Sequence, residues 1–86
     1  MPIISIFFGI VIRLYHKDHN PPHFHAIYGE YEIIVEIKSG KVLAGRFPNK
    51  ALSLVEEWRT LHIPELTRTW EQASAMKTPK KIKGLE

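Results

Sequence analysis

Apolar and polar side chains alternate between residues 23 and 38, as they do along antiparallel β-strands with one buried face. Gly29-Glu30 interrupts the alternation, and glycine at the first position of a two-residue loop predicts a type II′ turn. This turn pairs position 28 with 31, 26 with 33, 24 with 35 and 23 with 36. One face of the predicted hairpin is then nearly all apolar, with Phe24, Ala26, Tyr28, Tyr31, Ile33, Val35 and Ile37. The other face carries His23, His25, Ile27, Glu32, Ile34 and Glu36.

Two further strands and two helices complete the predicted fold. The β-branched and aromatic residues at 10–15 are typical of a strand, and residues 42–47 indicate a short fourth strand. From Pro48 the apolar period lengthens to that of an amphipathic helix, which Pro64 ends or kinks before a second helical segment to about Met76. Strands followed by helices indicate an α+β fold, a small antiparallel sheet of three to four strands with two C-terminal helices packed on one face.

The length of 86 residues allows one domain, which we place at residues 1–76, followed by a basic C-terminal tail at 77–86. The body is neutral, so the tail supplies the whole net charge of +3 through Lys77, Lys80, Lys81 and Lys83 against Glu86. We expect this tail to be solvated, because short charged termini usually are. A strong nucleic-acid binder would instead carry its basic charge as a patch on the folded body.

The sequence contains no cysteine, which excludes disulfide bonds and thiolate metal sites and agrees with a reducing cytoplasm. The N-terminal segment is apolar, but it is too short to cross a bilayer, which takes about 20 apolar residues. We therefore expect a cytoplasmic protein without a membrane partner. An exposed edge of so small a sheet would also allow a homo-oligomer to form through it.

Four of the five histidines lie in residues 15–25, before and within the first strand of the hairpin. The register places His23 and His25 on one face of that strand, with Glu36 opposite His23. Three more polar residues approach from the preceding loop: His16, Asp18 and His19. Imidazole and carboxylate groups are ligands for zinc, and the same groups serve as general acids and bases near neutral pH. The segment therefore marks the candidate site.

Three kinds of site are compatible with this segment, and the residues alone do not choose among them. Catalytic candidates are His19, His23, His25 and Glu36. A divalent metal such as zinc would take His23, His25 and His16. Binding candidates are Asp18, His19, His23, His25, Arg13 and Arg46, of which the two arginines would bind an anion such as RNA phosphate. Alternatively the segment is structural, with Asp18 and Asn20 capping the turn and the histidines bonded to loop carbonyls or to Glu36.

Several motifs along the chain resemble the family called domain of unknown function 4160. They are Phe7-Phe8-Gly9-Ile10-Val11-Ile12, the string Asp18-His19-Asn20-Pro21-Pro22-His23-Phe24-His25-Ala26, the helical Glu57-Trp58 and the final Pro79-Lys80-Lys81-Ile82. The resemblance implies a small bacterial protein, commonly encoded beside a protein of the family domain of unknown function 2442. That arrangement is similar to a toxin–antitoxin module. The family establishes no catalytic residues, so only the signature positions transfer: Asp18, His19, Pro21, Pro22, His23 and His25.

Three functional hypotheses follow. The chain is one component of a toxin–antitoxin-type pair, with the histidine face used against RNA or another target as in a metal-independent ribonuclease. Alternatively it is a non-enzymatic module whose sheet binds a partner protein, or a small divalent-metal-binding protein. The neutral body argues against strong RNA binding, since each phosphate contact needs its own Lys or Arg.

Overall fold

The structure is a computed structural model that describes residues 3–15 and 19–86. Five strands precede two helices along the chain, and the strands form one antiparallel sheet in the order of the sequence. The elements are β1 (Ile3–Phe7), β2 (Ile10–Arg13), β3 (His23–Tyr28), β4 (Tyr31–Glu36), β5 (Val42–Arg46), α1 (Asn49–Leu61) and α2 (Ile63–Ser74). The predicted α+β class is confirmed.

The sheet has five strands, where the sequence predicted three to four. The additional strand is β1, which pairs with β2 through a two-residue turn at Phe8 and Gly9. Both turn residues have positive φ, 49° and 79°, as a type I′ turn requires. This turn usually carries Asn, Asp or Gly at its first position, so Phe8 concealed the hairpin in an uninterrupted apolar run.

The predicted register of the central hairpin is confirmed. Tyr28 pairs with Tyr31, and the ladder continues without a shift to His23 opposite Glu36. Gly29 has a φ of +59°, as the first position of a type II′ turn requires. The two hairpin faces therefore differ as the alternation predicted, with one face directed to the core and the other carrying the histidines.

Both helices pack on one face of the sheet, as predicted. They are separated by the single residue His62, and Pro64 lies in the first turn of α2, where a missing N–H costs nothing. The fully buried Trp58 of α1 stacks on Phe7 at a centroid distance of 5.3 Å and meets the ring of Phe24 edge-on at 5.7 Å. These contacts join α1 to both the first and the third strand, so β1 is part of the core.

The last ten residues fold back onto the domain, so the prediction of a solvated tail is wrong. Ile82 is buried in the core, and its N–H donates to the carbonyl of Ile4 at 2.7 Å. The indole N–H of Trp58 donates to the carbonyl of Lys83 at 2.9 Å. The lysine side chains of the segment are exposed, so only the charges are solvated. We call residues 77–86 the C-terminal strap.

Candidate functional site

The histidine segment enters the sheet at the start of β3, at the end opposite the two tight turns of Phe8-Gly9 and Gly29-Glu30. The peptide bond between Asn20 and Pro21 is cis, and the carbonyl of Pro22 accepts a hydrogen bond from the N–H of Ile37. Proline has no N–H, so the two prolines cannot donate to a ladder themselves. The carbonyl of Pro22 still joins the loop to β4 and fixes where β3 begins.

His23 is oriented by the loop that precedes it. Its Nδ1 lies 2.7 Å from the carbonyl oxygen of Pro21. A carbonyl only accepts, so Nδ1–H is the donor and the neutral ring carries its proton there. The sequence predicted a solvent-facing or groove-lining His23, but the side chain is only 8% exposed. The reason is Trp70 of α2, whose ring lies 5.1 Å from that of His23 and covers it.

Four aromatic rings form a continuous row across this end of the molecule. Tyr15 meets His25 edge-on at 4.3 Å, His25 lies 5.5 Å from His23, and His23 lies 5.1 Å from Trp70. We call these four residues the ring row. It connects the end of β2 to α2 through the two histidines of β3. The histidine motif therefore has a packing role that explains the paired spacing of its imidazoles.

His25 is held by a carboxylate from the neighbouring strand. Its Nδ1 lies 3.1 Å from Oε2 of Glu32, and a carboxylate only accepts, so Nδ1–H again donates. Nε2 of His25 is buried. A group that exchanges protons with a substrate must come within hydrogen-bond reach of it. Since one ring nitrogen of His25 is directed at Glu32 and the other is buried, the ring is better suited to packing on Tyr15 and bonding to Glu32 than to acid–base chemistry.

Glu36 lies opposite His23 in the ladder, as predicted, but its carboxylate accepts a hydrogen bond from the hydroxyl of Ser39. Ser39 also accepts from the N–H of Lys41 at 3.1 Å, so this acid is part of the β4–β5 turn. The alternative in which the histidines bond to loop carbonyls holds for His23, whose partner is Pro21. Of the loop candidates, His19 is exposed, whereas His16 and Asp18 lie outside the described residues.

The two arginine candidates lie on the same sheet face as the histidines. Arg13 is directly opposite His25 in the β2–β3 ladder, and Arg46 is directly opposite Glu32 in the β4–β5 ladder. Opposed residues in an antiparallel pair project to the same side, so Arg13, His25, Glu32 and Arg46 share one surface. The structure thus brings these four side chains to one face, and their role in binding stays a prediction.

A metal site is not complete within the described residues. Over residues 3–15 and 19–86, no group of three or more His, Asp or Glu side chains could hold an ion. His23 and His25 are adjacent, but each directs Nδ1 to a protein acceptor, and the third candidate, His16, is outside the described range. The metal hypothesis therefore stays a prediction.

The rest of this sheet face was not recognised as a site from the sequence. Ile6 pairs with Val11 and Val11 with Ile27, so three apolar side chains form an unbroken row across β1, β2 and β3. Ile6 is 59% exposed. We call the face opposite the helices the open face; its residues are Ile6, Val11, Arg13, His25, Ile27, Glu32, Ile34 and Arg46. Only the pairing of β1 with β2, which the sequence did not predict, brings the apolar row together.

Tyr15 and Trp70 were also missed as neighbours of the histidines. The register between β2 and β3 spans a long loop, and the rotation of α2 about its axis is set by packing. Neither is encoded in a local pattern. The available signal was the helical spacing of Trp70, which predicted burial correctly but not its contact with His23.

Comparison with known proteins adds one match. The family model described as "Domain of unknown function (DUF4160)" matches residues 9–71, which run from β2 into α2 and include both histidines of β3. No curated protein matches the chain, and neither does any solved structure. Among the described residues, neither helix is long and apolar enough to cross a membrane. Because the match spans well over half of the 86 residues, the chain belongs to the DUF4160 family.

Proposed function

We propose that the protein is one component of a two-protein module and that it acts by binding its partner protein through the open face. The observation that carries the proposal is the apolar row of Ile6, Val11 and Ile27 on the sheet face opposite the helices, where Ile6 is 59% exposed and Val11 and Ile27 are half-buried. The water-facing side of an antiparallel sheet normally alternates to polar residues. A contiguous apolar row that reaches the solvent and is rimmed by charges is typical of an interaction surface instead.

The charged residues of the open face suit a protein partner better than a polyanion. Glu32 lies opposite Arg46 and Arg13 lies opposite His25, so the two arginines and one glutamate of the open face leave a net formal charge of only +1. RNA phosphates would be attracted by a larger excess of positive charge. A partner protein can match alternating charges around an apolar centre.

The size of the face indicates how far the interface extends. Five strands about 4.8 Å apart and about five residues long give a projected area of roughly 400 Å². One side of a standard protein interface buries about 800 Å². The partner therefore also contacts the edge of the sheet at β5, where every residue from Val42 to Arg46 is exposed. A partner strand added to that edge would gain backbone hydrogen bonds as well.

The resemblance of the chain to its family supplies the partner to test, the DUF2442-type protein encoded by the neighbouring gene. Binding between the purified proteins is measured by titration calorimetry. We expect Ile6→Glu to weaken binding at least tenfold, because it places a charge at the most exposed position of the apolar row. The matched control is Leu61→Glu on α1, which alters a side chain of similar exposure (62% against 59%) away from the face. Equal loss in both variants, or in neither, would overturn the proposal.

Growth after induced expression assigns the role within the module. Arrest that the neighbouring gene relieves makes this chain the toxin, and Ile6→Glu should then abolish the relief. Binding without any effect on growth leaves a non-enzymatic interaction module.

A ribonuclease activity is the second candidate, and the His25–Glu32 pair beside Arg13 is the observation that favours it. The assay is cleavage of RNA in the presence of a chelator. An enzyme using His25 should lose at least about a hundredfold in rate in His25→Ala, the usual size of a general acid–base contribution. The control is His62→Ala, which removes a similar pair with Glu65 elsewhere. Equal rates in the two variants would exclude this chemistry.

A further inference from the structure

A second surface feature lies at the opposite end of the sheet from the histidines, beside the Phe8-Gly9 turn and the start of α1. It is a cavity of about 520 Å³ between the core face of the sheet and the first turns of the helix. Its lining is apolar apart from one lysine and consists of Phe8, Ile10, Tyr28, Pro48, Lys50, Ala51 and Leu54. We call it the turn cavity. Its volume lies within the range of small-molecule pockets, about 300–1,000 Å³.

The mouth of the turn cavity is aromatic and exposed. Phe8 is 59% and Tyr28 is 39% exposed, although both contribute to an apolar lining whose inner residues Ile10 and Ala51 are buried. The Tyr28 ring packs against Gly9, since a Cβ built there would lie 3.4 Å from its Cε1 atom. Two exposed aromatic rings beside an apolar hollow leave surface that a ligand ring would cover.

Phe8 is an unusual residue for its backbone conformation. Its φ of +49° belongs to the left-handed region, which glycine adopts readily and which L residues other than asparagine and aspartate rarely adopt. The Phe8 side chain is 59% exposed, so its burial within the chain does not explain why a phenylalanine occupies this turn. A contact made by the ring with a bound molecule would explain why an aromatic side chain occupies this turn.

Lys50 indicates that a ligand of the turn cavity would carry a negative charge. It is the one charged residue in the lining, it is exposed, and it makes no ion pair with the residues that the structure describes. We propose that the turn cavity binds a small aryl carboxylate, with the aryl ring against Phe8 and Tyr28 and the carboxylate at Lys50. The cavity lies on the helix side of the sheet and shares no lining residue with the open face, so this inference does not depend on the proposed function.

The probe is 4-phenylbutyrate, titrated into the full chain and followed by methyl and amide NMR, with 4-phenylbutanamide as its neutral match. We expect saturable shifts at Ala51, Leu54 and Ile10 with the carboxylate, and binding several-fold weaker with the amide. Shifts confined to residues outside the lining, or no saturation with either probe, would overturn the site. Equal affinities for the two probes would overturn the carboxylate head.

Three variants separate the parts of the proposal. Leu54→Trp fills the cavity from a half-buried helix position and should abolish binding while the fold, judged by unchanged amide spectra elsewhere, is kept. Phe8→Asn removes the aromatic ring from the cavity mouth, so the probe should bind about tenfold more weakly. Asparagine tolerates the positive φ of this turn better than phenylalanine does, so the free energy of unfolding should not fall. Lys50→Gln should lower affinity for the carboxylate about three- to fivefold and leave the amide unchanged, the size expected of an exposed ion pair. Lys38→Gln, at the other end of the sheet, is the matched control, and an equal loss there would refute the role of Lys50.

Discussion

His25 shows how one side chain of the family motif serves several neighbours. Its Nδ1–H donates to Glu32 on β4, while the ring meets Tyr15 edge-on and lies beside His23. A lysine or arginine at this position could satisfy the carboxylate but could not present a flat ring on both sides. The residue is therefore selected by geometry as much as by its ability to carry a proton.

The tautomer of His25 follows from this contact and can be measured. We predict that the neutral ring of the wild type carries its proton on Nδ1, and that Glu32→Ala removes this preference because the acceptor is gone. Long-range proton–nitrogen NMR at a pH where the ring is neutral reports both states. The free energy of unfolding should fall by less than about 1 kcal/mol, since half of the Glu32 side chain is exposed.

The matched control for this change is Glu30→Ala, which removes an exposed acid from the adjacent turn and should leave the His25 ring unchanged. A wild-type ring of His25 protonated on Nε2 would contradict the assignment.

At the scale of single residues, the sequence predicted the shared face of His23 and His25 and the position of Glu36, because strand alternation and a two-residue turn determine them. It could not predict Tyr15 and Trp70 as neighbours, because packing determines those contacts.

Among the elements, the C-terminal strap differs most from its prediction. Its composition is that of a solvated tail, yet Pro79 and Ile82 are buried and the strap is bonded to β1, α1 and α2. The lysines project outward from an extended segment, so a charged composition and a buried apolar residue are compatible here. One isoleucine in ten residues is too weak a pattern to be read as core.

The strap should contribute measurably to stability. We predict that Ile82→Ala lowers the free energy of unfolding by about 2 kcal/mol, the lower end of the range for truncating a buried isoleucine, because a terminal segment can readjust around the gap. Denaturant unfolding measures the change. Exposed Lys81→Ala, at the preceding position, should stay within about 0.5 kcal/mol of the wild type.

Hydrogen exchange provides a second observation on the same element. The amide of Ile82 donates to Ile4, so Ile82→Ala should speed its exchange more than that of the β3–β4 ladder. If amide exchange became faster by the same factor throughout the sheet, the strap would not open independently of the rest of the fold.

Strand β1 was missed for a related reason, because an apolar run without polar alternation does not reveal its period and Phe8 does not mark a turn.

The whole molecule separates two surfaces along the strand direction. β3 is six residues long, and at about 3.3 Å per residue its ends lie roughly 17 Å apart. The ring row occupies one end of the sheet and the turn cavity the other. The ring row and the turn cavity therefore share no side chain, and changes at one should add to changes at the other without coupling.

The two edges of the sheet also differ, which bears on the oligomer that the sequence left open. The β1 edge receives a hydrogen bond from the strap, whereas β5 is exposed along its length. β5 is preceded by Lys41 and ends at Arg46. Two copies pairing antiparallel about residues 43 and 44 would place Lys41 opposite Arg46 at both ends of the ladder. Like charges directly opposed are destabilising, and charged edges are a known guard against self-pairing.

We therefore predict that the wild type is monomeric in sedimentation experiments at concentrations of tens of micromolar, and that the double variant Lys41→Thr, Arg46→Thr self-associates. Threonine keeps the strand propensity while it removes the repulsion. The control double variant Lys38→Thr, Lys50→Thr has the same net charge but leaves the β5 edge intact, so it should remain monomeric. Association of both variants would show a general effect of charge, and a dimeric wild type would show that the edge is not guarded. A guarded edge still admits a partner strand that carries acidic residues at its two ends, because these would pair with Lys41 and Arg46.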